Sequence, residues 1–171
     1  MNEILQHAIN NLVIQDIFLR SSATTIKDGF DPKYNCDAES LTVQLKHLVQ
    51  KHEVLKFEND EQGLQIFRVH IDLGARWIYV ADNALDDGSD VLAQIEVTMV
   101  AEYQMQENPG QEALETFALR NASYHVWPYW REYLMSQAVR MNLPKTVLPA
   151  IQFAMNKTRD SVDKKTISAM G

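Results

Sequence analysis

Between Val91 and Met105 the chain alternates between two kinds of residue. Val91, Ala93, Ile95, Val97, Met99, Ala101, Tyr103 and Met105 share one face, while Gln94, Glu96, Thr98, Glu102 and Gln104 lie on the other. Neighbouring side chains of a strand point to opposite faces, so a period of two over this length is a long, half-buried strand. Val69, Ile71, Leu73, Ala75, Trp77 and Tyr79 repeat the pattern against Arg68, His70, Asp72 and Arg76. A further strand begins with Leu41, Val43 and Leu45 opposite Thr42, Gln44 and Lys46, and continues less regularly through His47–Phe57. Leu12–Arg20 reads as the first of the four. Turn-forming residues separate them: Asp28-Gly29-Phe30-Asp31-Pro32, Asn59–Gly63 and Asp82–Asp90. Connections this short predict an antiparallel meander with one covered face and one polar face.

Asn108-Pro109-Gly110 ends the sheet, and the period then changes. Leu114, Phe117 and Ala118 open a helical stripe that Trp127, Trp130, Leu134, Ala138 and Met141 carry on to Asn142-Leu143-Pro144. Pro128 sits inside it, where a proline removes a backbone donor and costs about 3 kcal/mol. A bend there is the expected compensation. Thr146-Val147-Leu148-Pro149 then leads into a shorter helical segment around Ala150–Thr158. Strands followed by helices make the fold class α+β: a four-stranded antiparallel sheet, a long helix with an internal proline, and a short final helix. Residues 1–156 form one domain and 157–171 a polar, flexible tail.

Composition narrows the function more by exclusion than by nomination. A hydrophobic fraction of 46% and three tryptophans describe a folded domain. The net charge of −7 speaks against nucleic acid as a direct partner. The tail runs the other way, with Lys157, Arg159, Lys164 and Lys165 against Asp160 and Asp163. No signal-peptide pattern and no membrane-length apolar run are present, so a cytoplasmic protein without membrane insertion is expected. Cys36 stands alone and the five histidines have no ligand spacing, so no metal is expected. Asp82, Asp86, Asp87 and Asp90 lack the glycine and glutamate of a calcium loop. Neither a phosphate-cradling glycine pattern nor a nucleophile elbow occurs. No enzyme and no cofactor are expected. What remains is apolar surface: Val147, Leu148, Ile151 and Phe153 crowd a proline-bounded segment that a regular helix cannot turn wholly inward. Such a surface suits an extended polypeptide or an oligomer contact.

The run Trp127-Pro128-Tyr129-Trp130-Arg131-Glu132, the Leu143-Pro144 stop and Leu148-Pro149-Ala150-Ile151-Gln152-Phe153 resemble the SecB family of export chaperones. That family carries a phenylalanine-proline-tyrosine-alanine-arginine-glutamate run in its long helix. Pro128, Tyr129, Arg131, Glu132, Pro144 and Phe153 match; Trp127, Trp130 and Gln152 depart. The resemblance implies a homotetramer, a dimer of dimers, that holds unfolded chains in a hydrophobic groove without ATP or metal. Carried onto this sequence, the groove would use Phe18, Val43, Leu45, Val147, Leu148, Ile151 and Phe153. The helix from Trp127 to Glu132 would serve oligomer contact. Two roles follow. One is protein export, with secretory precursors as clients and SecA as a partner, although the basic tail departs from that pattern. The other is protection of an antitoxin in a toxin–antitoxin system. A reading outside the family is a non-catalytic interaction module whose apolar surface serves only self-assembly.

Overall fold

The computed structural model describes residues 3–34, 36–57, 63–79, 90–148 and 167–168. A helix α1 (Glu3–Asn11) leads into β1 (Leu12–Ile26). A 3-10 turn (Ala38–Ser40) precedes β2 (Leu41–Lys56), followed by β3 (Gln65–Tyr79), β4 (Val91–Met105), α2 (Gln111–Arg120), α3 (Ala122–Arg140) and a two-residue β5 (Ile167–Ser168). The long alternating runs are strands, as their period requires. Helix α1, the 3-10 turn and β5 go beyond the predicted elements; most of the expected turns Asn59–Gly63 and Asp82–Asp90, and all of the segment Ala150–Thr158, lie outside the described residues.

The sheet is antiparallel but not a meander. Its order is β1-β4-β3-β2-β5, so β1 pairs with β4 rather than with its neighbour in sequence. Three hairpin-connected strands with the remaining one returned beside the last is a Greek key. The linker of residues 27–40 is long enough to cross two strands, and Asp31 holds its turn by accepting from the Lys33 and Tyr34 amides. The irregular stretch of β2 also has a cause. The β2–β3 register slips between Val49 and Lys51, leaving Gln50 as an extra residue and breaking the period of two.

Cross-strand pairs share a face. Ile26, Ala93, Trp77 and Val43 form one row, and Ile14, Tyr103, Phe67 and Val54 another. The helices cover this side: Phe117 packs edge-on against Tyr103 and Phe67, and His125 stands beside Tyr103. The opposite side is polar. Arg68 donates to Glu102 at 2.7 Å and Thr98 to Asp72 at 2.7 Å. Lys46 of β2 and Glu96 of β4 meet across β3 at 3.5 Å because Gly74 lies between them, its missing Cβ leaving the path open.

The helical layer is broken at Asn121, and α3 runs on through Pro128. Asn121 ends α2 by donating to the Phe117 carbonyl, and its own carbonyl accepts from Tyr124 as α3 begins. Pro128 lies within α3 on its exposed side, where water can reach the carbonyl that loses a donor. The stop is as the sequence predicts. Asn142 adopts a left-handed backbone (φ 54°), Leu143 donates to the Ala138 carbonyl and Asn142 to that of Val139. That is the closing pattern of a helix followed by a buried apolar residue and a proline.

Candidate functional site

Apolar side chains stay accessible at several places among the described residues, three of which run along β2, α3 and β1. The first lies along β2. The sheet continues beyond β2 only through the two residues of β5, among the described residues. On the helix side β2 presents Val43, Leu45, His47 and Val49 in turn, then His52 and Val54 after the bulge. Helix α2 stands over the bulged part without closing on it. Val49, Gln50, Lys51 and His52 face Glu115 and Leu119 across an open cleft of ≈ 380 Å³.

Burial holds two histidines of this side toward their neutral form. The His47 ring nitrogen sits 2.7 Å from the Ser123 hydroxyl, and burial lowers its pKa to about 4. Burial also lowers the pKa of His125, which lies 2.8 Å from the Tyr103 hydroxyl. Val49 and Leu119 can take apolar groups there, and the strand edge adds main-chain donors and acceptors. Among the described residues no three His, Cys, Asp or Glu side chains converge on a metal position. No helix of the described chain is long and apolar enough to cross a membrane.

The second surface is the outer side of α3. Pro128, Arg131, Glu132, Met135, Ser136, Val139 and Arg140 line a shallow groove of ≈ 650 Å³. Tyr129 is 52% exposed and Val139 74%. The third is β1 at the other sheet edge, where Val13, Ile14, Leu19 and Ile26 are exposed.

The residues singled out from the sequence are divided among these places. Val43 and Leu45 lie together on the helix side of β2, Val43 buried and Leu45 half-buried. Phe18 lies away from them: it pairs with Val100 at the opposite edge and on the polar face. Leu148 is 0% exposed and belongs to the core, whereas the adjacent Val147 is 55% exposed. Ile151 and Phe153 lie outside the described residues. In the helix, Trp127 and Trp130 point into the core, Arg131 is half-buried, and Pro128, Tyr129 and Glu132 face outward. Sequence reasoning missed Val49 and Leu119. Val49 sits where the bulge upsets the alternation, and Leu119 lies off the buried stripe of α2.

No protein-family model and no curated protein matches the chain. Among solved structures, the SecB-like chaperone of Mycobacterium tuberculosis, solved in complex with a ChAD peptide from the HigA1 antitoxin, superposes with a TM-score of 0.66. The match covers 90% of this chain and 100% of that one, at 19% identity. The fold is SecB-like. The SecB-like arrangement here is a four-stranded antiparallel sheet followed by a bent helix running from Gln111 to Arg140. At this identity the agreement is one of architecture, and the side chains of the cleft are this chain's own.

Proposed function

We propose that this chain is an ATP-independent holding chaperone, and that its client is the aggregation-prone part of an antitoxin. The observation that carries this is the open cleft beside a mostly unfilled sheet edge, where Val49 and Leu119 are flanked by polar side chains, in a fold whose Mycobacterium tuberculosis representative was solved with an antitoxin peptide. Leu45, Val49, Leu119 and the exposed Val147 offer apolar contact, and the β2 edge offers main-chain hydrogen bonds. Those two kinds of contact bind extended polypeptide with little regard for sequence. No reaction is assigned to the protein, and it acts in the cytoplasm. It assembles as a homotetramer, using the β1 edge and the outer side of α3, because both leave apolar groups that a lone subunit exposes. Ile151 and Phe153 extend the holding surface, whereas Phe18 belongs with the β1 assembly edge.

The test has two steps. The purified protein should suppress aggregation of a chemically unfolded model protein near one tetramer per chain, with no nucleotide present. Mild affinity capture from the native host should then return one dominant small DNA-binding protein, with or without its toxin. A broad set of secretory precursors together with SecA would instead assign export. A protein that assembles but suppresses no aggregation would be an interaction module for self-assembly alone.

A further inference from the structure

The free edge of β2 is already occupied at one end. Ile167–Ser168 pairs with it antiparallel, Ile167 opposite Val43 and Ser168 opposite Thr42. Two features set this end apart from the rest of the strand. Leu41, Thr42 and Val43 are buried in succession, although neighbouring residues of a strand face opposite sides; from Gln44 onward every β2 residue is at least partly exposed. Both faces are therefore covered where β5 attaches and open beyond it. Trp77 lies next to Val43 in the same row, and its buried indole Nε1 has no acceptor among the described residues.

The segment that supplies β5 suits the place. Thr166 and Ile167 are β-branched, which favours extended backbone. We propose that the C-terminal segment around Ile167–Ser168 is a built-in strand donor that holds the start of the β2 edge and competes with polypeptide added to it. A tethered segment acts at an effective concentration on the order of mM, so even a short strand can fill a site. A pairing of two residues is also weak enough to yield to a longer client that can use the whole edge. The fraction of molecules with the edge free sets the apparent affinity. The chain thus carries a threshold against weak or short clients. The competition rests on the proposed polypeptide-holding function; the occupancy of the edge does not.

The test keeps the full chain and compares it with Ile167→Pro, which cannot donate at that position and disfavours pairing. One of the Thr42 and Val43 amides points to β3 and the other toward β5. In Ile167→Pro, hydrogen exchange should accelerate about ten-fold or more at one of these two amides and stay unchanged in Ile167→Val. A fluorescent, reduced and carboxymethylated α-lactalbumin should bind Ile167→Pro about five-fold more tightly than the parent, and Ile167→Val like the parent. Unchanged exchange at both amides overturns the tail strand. Accelerated exchange with equal or weaker probe binding overturns the competition. If no form binds the probe while exchange still responds, the holding function has failed, and the competition falls with it rather than through the tail.

Discussion

At the scale of single residues, the adjacent pair Val147 and Leu148 separates surface from core. Leu148 is fully buried, so Leu148→Ala should cost about 2–5 kcal/mol in urea unfolding through the lost contacts and the cavity left behind. Val147→Glu should leave unfolding within about 0.5 kcal/mol of the parent, yet weaken holding of an unfolded protein about ten-fold. Equal loss of stability in both would show that Val147 is also packed. His47 gives a pH dependence. Its pKa is lowered from 6.5 to about 4 by burial, so between those values the unfolded chain binds a proton that the folded chain refuses. Stability is then complete above pH 6.5 and falls as the pH drops toward 4, by at most about 3 kcal/mol. His125 is shifted in the same direction for the same reason. His47→Gln can keep a hydrogen bond to Ser123 but cannot take up the proton. Urea midpoints at pH 7 and pH 5 should therefore differ less in this variant, and an undiminished difference would place the acid sensitivity elsewhere.

At the scale of elements, Pro128 and β1 can be judged by their surroundings. The helical layer breaks at Asn121, where the hydrogen-bond pattern changes, and α3 is continuous through Pro128. Restoring a backbone donor with Pro128→Ala should raise the stability of the subunit by about 1–2 kcal/mol, less than the full helix penalty because the unfolded chain also gains freedom. Thermal melting tests this, and a fall would mean that packing across the outer side of α3 depends on the proline. Strand β1 carries exposed Val13, Ile14 and Leu19 along an outer edge that pairs with no strand among the described residues. A lysine at such an edge opposes pairing with another chain. Leu19→Lys should shift sedimentation toward smaller species while the circular dichroism of the subunit stays the same.

At the scale of the whole molecule, the layers divide the work. One sheet face is closed by α2 and α3 around Phe67, Tyr103, Phe117 and Trp130, and that core holds the fold together. The other face is a polar ladder with Arg68, Glu102, Asp72 and Thr98 paired across strands. Accessible apolar groups are left at the margins: the β1 edge, the outer side of α3 and the cleft along β2. On the proposed function, assembly and client holding draw on different margins. Substitutions at β1 should change the oligomer, and those beside β2 should change holding. A Leu19→Lys protein that sediments smaller should still hold client at the β2 cleft, and loss of both together would show that the cleft is completed by a neighbouring subunit.

The long period-two runs placed β3 and β4 and the start of β2, because face-by-face burial writes itself directly into a strand. The stripe Leu114, Phe117, Ala118, Trp127, Trp130, Leu134 and Ala138 placed the helices, and Asn142-Leu143-Pro144 placed their end, for the same local reason. Strand order was not legible. An antiparallel pair leaves the same alternation whichever strand it joins, so pairing β1 with β4 needed contacts far apart in sequence. The bulge at Gln50 was visible only as irregularity, and Val49 was hidden with it. Whether Val147 or Leu148 faces outward, and whether Phe18 shares a surface with Val43, depended on how separate elements pack. Local pattern determines which side chains an element must bury. Only the tertiary structure decides which edges remain open, since an edge is defined by the strand that does not arrive.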